Sequence, residues 1–359
     1  MGLKAYHLNT TTPTRWDFER HQMRGSVKWQ VTQLVKLIFE KELSKIKRRD
    51  EEDDRYNFVT QNTTMQTYKL VWIEFAAYAK KYFDVKDVEN LSNTHVEAFM
   101  NHKLSSQISK QTIEKISSAL GKLEFALTYF SKLNRSSKIY DFSHRVKVLS
   151  FAKEFSLVYD GYHGRAYVNP QKIINELSSP MFKLAAKLQL EGGARVGGIE
   201  YIPREIKISH EKLIVNKLED VRIIYIENKK AIVYSLQGIA FDKHLFAKGV
   251  KKKVGQILTV EKGGKPGLVS VSIATYKSLE RIMDVGVFSI NKFAYMRAIN
   301  QACNKLGLDS EGSHGLRWTH VQNRQQELIE AGYSIDEAML INSHEHKHWR
   351  KEITGHYLS

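Results

Sequence analysis

The sequence has 359 residues, 42% of them hydrophobic, which is enough for two domains that each bury a core. Lysine and arginine number 55 against 39 aspartates and glutamates, and the resulting net charge of +16 favours a polyanionic partner. No apolar run approaches the roughly 18 residues of a membrane span, and no apolar core of a signal peptide is present. The single cysteine, Cys303, excludes a disulfide framework and a cysteine-rich zinc site.

The first 150 residues are predicted to be helical. We interpret residues 1–55 as an arm with a helical extension, because a polar lead is followed by apolar residues at helical spacing and then by a block of charges at residues 45–55. Three helices are predicted in residues 56–150, starting near Thr64, at Ser92 or Thr94, and after Ser109. The short loops between these helices predict a small bundle. Its basic residues either contact phosphates or are simply solvated. The candidates for DNA binding there are Lys110, Lys115 and Lys122.

Periodicity fades in residues 135–165, which we interpret as a linker to a second domain at residues 165–359. A helix over residues 181–190 is predicted to stop at Gly192 and Gly193, just before Arg195. The glycines at residues 193–198 match neither phosphate-binding loop pattern, so a nucleotide site is excluded.

Short strands are predicted next, in what we interpret as a β-hairpin insertion around residues 205–255. Residues 212–216, 221–226 and 231–236 read as strands, the last two forming a hairpin. A second hairpin, residues 256–261 with 268–273, turns through Lys262-Gly-Gly-Lys-Pro-Gly267. Basic residues of this region are further candidates for DNA binding: Lys251, Lys252, Lys253 and Lys265.

The carboxy-terminal stretch concentrates groups that can bind and attack a phosphodiester. His314 and Arg317 share a helix face, where an imidazole can move a proton and a guanidinium can hold two phosphate oxygens; an ordinary amphipathic surface helix is the alternative. Another helix follows Ser334 and leads to the run His344-Glu-His-Lys-His348. Alternate helical residues point roughly 200° apart, so we predict no metal there and interpret His344 and His346 as solvated.

Four segments in order carry a resemblance to a known family. They are Arg195 after its glycine turn, the hairpin turn with Lys262, the pair His314 and Arg317, and His348 standing nine residues before the tyrosine of Ile353-Thr-Gly-His-Tyr-Leu358. Together they resemble the tyrosine recombinases, also called phage-type integrases. The resemblance implies a mainly α fold with a small antiparallel β-sheet (α+β). It also implies a two-domain, C-shaped DNA clamp that joins a helical core-binding domain to a catalytic domain.

The resemblance also implies six catalytic residues: Arg195, Lys262, His314, Arg317, His348 and Tyr357. A tyrosine with its ordinary pKa of about 10 needs a base or a cationic field before it attacks, and the arginines would stabilise the charge of the transition state. Lys262 would protonate the leaving 5′ oxygen, His314 would act as acid or base near the tyrosine, and His348 would hydrogen-bond the phosphate. The expected product is a 3′-phosphotyrosyl bond, made without metal, ATP or another cofactor.

Two positions depart from the family pattern. Gly198 stands where a glutamate is common, with Glu200 two residues further on, and Lys347 stands where a glycine is common. The second departure leaves His344 as an alternative to His348. The insertion leaves Lys265 and Lys230 as alternatives to Lys262.

The function expected from the resemblance is site-specific DNA recombination, in the integration, excision or transposition of a mobile element. Expected partners are double-stranded DNA with inverted-repeat core sites, three further copies in a homo-tetramer, and accessory DNA-binding proteins, without a membrane. We expect the protein in the cytoplasm, associated with the nucleoid. The alternatives are a catalytically inactive DNA-binding protein of the same fold and a type IB topoisomerase-like strand transferase.

Overall fold

The computed structural model describes residues 25–41, 54–161, 164–218, 221–261, 264–348 and 351–358. The chain divides into two units, Met1–Gly161 and Tyr162–Ser359. The predicted arm at residues 1–24 and most of the predicted charge block lie outside the described residues.

The amino-terminal unit is a helical bundle. Its long helices bury one apolar stripe each in a shared core, and the stripe of the fourth helix runs from Ile113 to Phe130. Serines begin two of them: Ser92 forms a capping box with His95, and the Ser109 side chain accepts from the main-chain N–H of Thr112. The helices are α1 (Val27–Ile38), α2 (Asn62–Phe83), α3 (Asn93–Leu104), α4 (Lys110–Leu133) and α5 (His144–Glu154), with 3₁₀ turns at Asp54–Asn57 and Val88–Asn90.

Three sequence predictions need correction in this unit. Helix α2 begins at Asn62, after Gln61, and not at Thr64. Helix α1 is not an extension, because its apolar face lies in the same core as α2 and α4. Helix α5 lies within the predicted linker, where it packs on α3 and α4 through Val148 and Ala152. The weak periodicity of α5 follows from this small buried surface.

The carboxy-terminal unit combines helices with short antiparallel strands. Its helices are α6 (Pro170–Glu176), α7 (Pro180–Gly192), α8 (Val196–Ile199), α9 (His210–Val215), α10 (Lys243–Ala247), α11 (Ile273–Val285), α12 (Lys292–Lys305), α13 (Gly312–Glu330), α14 (Ile335–Glu345) and α15 (Lys351–Leu358). Its strands are β1 (Tyr201–Ile202), β2 (Glu205–Ser209), β3 (Ile223–Glu227), β4 (Lys230–Tyr234), β5 (Leu236–Phe241), β6 (Lys253–Glu261), β7 (Lys265–Val271) and β8 (Phe288–Ser289). None of the helices in the described ranges has the length and apolar character that crossing a membrane requires.

Within the described ranges the strands form three small sheets, in the orders β1-β8, β2-β4-β3 and β5-β6-β7, where the sequence predicted one. The predicted hairpin of β3 and β4 is present and turns through Asn228 and Lys229, both with positive φ. The predicted strand at residues 212–216 is wrong. That segment is helix α9, which buries Leu213 in a core shared with the β2-β4-β3 sheet and with Leu258 of β6.

Helix α13 lies at the centre of this unit, in contact with α7, α12, α14 and α15. Tyr167 fixes its first turn, because the hydroxyl accepts from the main-chain N–H of Glu311 and donates to the carbonyl of Gly312, both at 2.9 Å. Hairpin β6–β7 pairs Glu261 with Lys265 at its turn end. Residues 262 and 263 of that turn lie outside the described residues.

The long stripe of α4 leads to a stability prediction. Replacing fully buried Leu123 by alanine should lower the free energy of unfolding of the bundle by about 3 kcal/mol, because it leaves a cavity in the shared core. Leu133→Ala, at the 42% exposed end of the same helix, should change it by only about 0.5 kcal/mol. Urea unfolding followed by pulsed hydrogen exchange of α4 peptides measures both. Equal effects would contradict the placement of α4.

Candidate active site

Arg317 of α13 is buried, with 1% of its side chain exposed. Its Nη1 donates to the carbonyl of Gly193 and its Nη2 to the carbonyl of His346, the latter at 3.0 Å. Its Nε has no hydrogen-bond partner within the described part of the chain. The guanidinium therefore ties the end of α7 to the end of α14 and keeps one donor uncommitted.

Arg195 follows the glycine turn that ends α7. Gly193 has a φ of +63°, and the chain then turns so that Arg195 precedes the short helix α8. The Arg195 side chain is 26% exposed, and its Nη1 donates to Glu261 Oε2. Its Nη2 lies 3.0 Å from His348 Nε2, and its main-chain N–H donates to Glu261 Oε1 at 3.1 Å. Arg195 is thus held at both its backbone and its side chain.

Glu261, the last residue of β6, is a buried carboxylate that the sequence analysis did not single out. It contacts Arg195 and Lys347, and it lies 3.8 Å from Arg317 Nη1. Burial by itself would raise the pKa of the Glu261 carboxyl, but the charges of Lys347, Arg317 and Arg195 lower it to about 2. The group is therefore ionised at neutral pH.

Lys347 was also missed, except as a departure from the family pattern. It has a φ of +62°, and its Nζ lies 3.1 Å from Glu261 Oε1 and donates to Thr259 Oγ1 at 2.7 Å. Burial lowers the pKa of the Lys347 ammonium to about 8, although Glu261 opposes that shift. The side chain points into the protein next to the arginines.

Tyr357 lies on α15 and is 8% exposed. Its hydroxyl lies 3.5 Å from His314 Nε2, and its ring packs on Trp318 with the ring centroids 4.8 Å apart. Trp318 therefore lies on the tyrosine side of α13. The Tyr357 ring also lies 6.0 Å from the Arg317 guanidinium and 6.2 Å from the His348 ring.

His314 and His348 are neutral at physiological pH. Burial, reinforced by the charges of Arg317 and Arg195, lowers the pKa of His314 to about 4. The same causes lower the pKa of His348 to about 4. A neutral His348 can accept from Arg195 through Nε2 and keep a proton on Nδ1. A neutral His314 can accept a proton from the hydroxyl beside it.

Two further histidines lie behind the glycine turn. The rings of His320 and His346 are 5.0 Å apart, and a Cβ at Gly193 would lie 2.2 Å from His346 Nε2. Burial lowers the pKa of His320 to about 3 and that of His346 well below its ordinary value. The interpretation of His346 as solvated is therefore wrong, while His344 is exposed as expected.

The structure brings together five of the six residues that the sequence singled out: Arg195, His314, Arg317, His348 and Tyr357. The sixth, Lys262, lies outside the described residues. Of its alternatives, Lys265 is exposed and close enough for its charge to lower the pKa of His348, whereas Lys230 lies in a different sheet. No group of three or more histidine, cysteine, aspartate or glutamate side chains in the described ranges is arranged to hold a metal ion.

The lysines predicted to bind DNA lie on both units. Lys251, Lys252 and Lys253 are exposed in the carboxy-terminal unit, where the Nζ of Lys252 bonds to Glu327. In the bundle, Lys115 is exposed, and the Nζ of Lys122 donates to the carbonyl of Asn57 at 2.8 Å. Their contacts with DNA stay a prediction.

Comparisons with known proteins bear on the fold. Neither protein-family models nor curated proteins match this chain. Solved structures do match, among them the XerH site-specific recombinase bound to palindromic difH substrate in a post-cleavage complex, with a TM-score of 0.52 and 13% identity, covering 96% of this chain and 89% of that one. Another is a lambda integrase dimer bound to a COC′ core site, with a TM-score of 0.50 and 11% identity, covering 88% of this chain and 94% of that one.

These matches, together with the helical bundle and the helix-rich second unit with its small antiparallel sheets, define the architecture. The chain has the tyrosine recombinase fold, and the predicted α+β class is confirmed.

The buried neutral histidines lead to a prediction on acid stability. Their pKa values are about 6.5 in an unfolded chain and about 4 or lower in the folded unit, so unfolding takes up protons between those values. The contribution of these histidines to the free energy of unfolding should be fully present above about pH 6.5 and be lost as the pH falls toward 4. Each histidine contributes about 1.4 kcal/mol for every unit by which its pKa is lower in the folded chain. Urea unfolding at pH 7.5 and 5.0, followed through α13 peptides by pulsed hydrogen exchange, should show a lower midpoint at pH 5.0.

The variant His320→Gln should reduce this pH dependence, because it removes one proton-binding group. His102→Gln, a change at an exposed residue of the other unit, should leave it as in the parent. The same urea midpoint at both pH values would contradict the neutral state of these histidines.

Proposed function

We propose that this protein is a site-specific DNA recombinase that cuts and rejoins DNA through a 3′-phosphotyrosyl bond to Tyr357. The observation that carries the proposal is the tyrosine hydroxyl 3.5 Å from a neutral imidazole, beside a guanidinium with an uncommitted donor. Within the proposal, the amino-terminal unit is the core-binding domain and the carboxy-terminal unit is the catalytic domain.

The nucleophile in this proposal is activated by His314. A phenol with an ordinary pKa of about 10 is a poor nucleophile at neutral pH, so an acceptor for its proton is needed as attack begins. With a pKa of about 4 the His314 imidazole is neutral but a weak base, so it would take that proton only in concert with attack on the phosphate. Its Nε2 is already directed at the hydroxyl. The Trp318 ring holds the phenol from the side.

The phosphate would be held by Arg195, Arg317 and His348. Attack on the phosphodiester builds negative charge on the non-bridging oxygens, which guanidinium groups stabilise by charge-assisted hydrogen bonds. Arg195 is partly exposed and can turn donors toward a phosphate, whereas Arg317 is buried and its Nε, also buried, has no partner among the described residues. His348 would donate from Nδ1, since its Nε2 already accepts from Arg195.

The leaving 5′ oxygen would take its proton from a lysine of the β6–β7 turn. Lys262 is the proposed donor, because it directly follows Glu261, whose carboxylate binds Arg195. Lys265 is the alternative. It starts β7 opposite Glu261, and its charge reaches His348.

The substrate in this proposal is double-stranded DNA, in keeping with the net charge of +16. The matched XerH and lambda integrase structures each contain DNA. Inverted-repeat core sites, a homo-tetramer, accessory proteins, a C-shaped clamp and association with the nucleoid stay predictions, as does a role in the integration, excision or transposition of a mobile element.

Covalent trapping tests the proposal. Incubated with nicked duplexes from the DNA that flanks its own gene, the parent protein should form an adduct that resists denaturant, with a free 5′ hydroxyl on the released strand. Tyr357→Phe should form none, because it removes the nucleophilic oxygen but keeps the ring against Trp318. Denaturing gels and mass spectrometry of the adduct peptide measure the outcome.

The matched control is Tyr225→Phe, which removes the hydroxyl of a tyrosine that is 53% exposed on β3. This variant should trap DNA like the parent. An adduct that persists in Tyr357→Phe, or a linkage to the 5′ end, would contradict the proposed chemistry. Salt-sensitive DNA binding without an adduct on any duplex would favour a binding protein instead.

A further inference from the structure

Glu261 and Lys347 form a buried ion pair at the centre of the site, although neither occupies a catalytic position of the family pattern. Their side chains are 1% and 5% exposed. One carboxylate oxygen accepts from the main-chain N–H of Arg195 and also contacts Lys347 Nζ, while the other accepts from the Arg195 guanidinium. The carboxylate therefore decides where both the backbone and the side chain of Arg195 lie.

Two glycines make room for this pair. A Cβ on Gly198 would lie 2.8 Å from Glu261 Cγ, so the Glu261 side chain fills the space beside position 198. A Cβ on Gly267 would lie 2.1 Å from Lys347 Cε, so β7 accommodates the lysine only with a glycine there. Both glycines lie at or beside positions where the sequence departs from the family pattern. Gly198 stands in place of a glutamate, and Gly267 packs on Lys347, which stands in place of a glycine.

We propose that Glu261 is the positioning carboxylate for Arg195, supplied from the end of β6 and not from helix α8, and that Lys347 is its buried counter-ion. This inference rests on the proposed function and names two residues that serve its phosphate-binding arginine. Glu261 and Lys347 act through Arg195, and neither touches the reacting atoms.

The charge of the cluster gives the physical reason for the pair. A carboxylate alone would cancel much of the field of Arg195 and Arg317, on which stabilisation of the phosphorane depends. With Lys347, the cluster holds three cations and one carboxylate, a net charge of two positive units. This net charge of two positive units equals in size the two negative charges of the phosphorane. Glu261 can therefore orient Arg195 while the cluster stays cationic.

Moving the carboxylate back to position 198 tests the inference. In single-turnover trapping at saturating DNA, Glu261→Ala should slow adduct formation by about 100-fold, because a small displacement of a positioning group has effects of that size. The double variant Gly198→Glu/Glu261→Ala should regain much of the lost rate, since the truncated side chain frees the space. Glu261→Gln keeps the shape and an acceptor, so its rate should lie between those of the parent and Glu261→Ala. The Kd for DNA should stay close to the parent value in all three.

A second readout needs no DNA. The reaction of Arg195 with phenylglyoxal, mapped by mass spectrometry, should be slow in the parent, fast in Glu261→Ala and slow again in the double variant. Glu176→Ala is the matched control, since it removes a carboxylate that is paired with Lys305 at 2.5 Å in the same unit. It should leave both readouts unchanged.

The outcomes separate the two proposals. Parent-like trapping and parent-like Arg195 reactivity in Glu261→Ala would overturn the inference. Slow trapping without any change in Arg195 reactivity, or without recovery in the double variant, would overturn it as well. If the double variant does not fold, an Arg195 reactivity of Glu261→Gln equal to that of Glu261→Ala overturns it. If the parent traps no DNA at all, the proposed function fails, and Arg195 reactivity still decides the positioning role.

Discussion

The carboxy-terminal unit depends on the buried carboxylate of Glu261. A carboxylate with 1% of its side chain exposed is strongly destabilising unless cations and hydrogen bonds surround it. Here the cations come from three places, Arg195 after α7, Arg317 on α13 and Lys347 after α14. Loss of any one of them would leave fewer cations to offset the buried carboxylate. The glycine turn, the central helix and the hairpin end must therefore meet in one arrangement before the site exists.

A second set of contacts holds the backbone at the end of α7, next to these charged side chains. Arg317 donates to the carbonyl of Gly193, the residue whose left-handed backbone ends α7. The rings of His320 and His346 fill the space on the other side of that turn, and His346 Nδ1 lies 2.7 Å from the carbonyl of Asn342. Since these imidazoles are neutral, they pack and hydrogen-bond without adding charge. The positive field of the site comes from guanidinium and ammonium groups, and the histidines add no charge to it at neutral pH.

Local patterns in the sequence predicted the features that depend on residues close together in the chain. Capping serines, apolar stripes and the turn of β3–β4 follow from neighbouring residues, and the four ordered segments were enough to identify five residues that meet in space. The roles of Glu261 and Lys347 were not predictable, because each residue binds partners that lie more than sixty positions away in the sequence. Helix α9 was mistaken for a strand for a related reason. Its β-branched residues favour a strand, but packing of Leu213 against the β2-β4-β3 sheet decides the outcome.

Helix α9 and the β2-β4-β3 sheet both contact hairpin β6–β7. Leu258 of β6 lies in the same small core as Ile208 and Val233, so the β2-β4-β3 sheet packs directly on the hairpin. At the turn itself, a Cβ on Gly264 would lie 2.8 Å from Lys212 Nζ, which places the end of an α9 side chain against the turn. Glu261 holds the other side of the same turn through Arg195. The described residues on either side of the turn, Glu261 and Gly264, thus contact Arg195 and α9, and the β2-β4-β3 sheet is part of the support of the site.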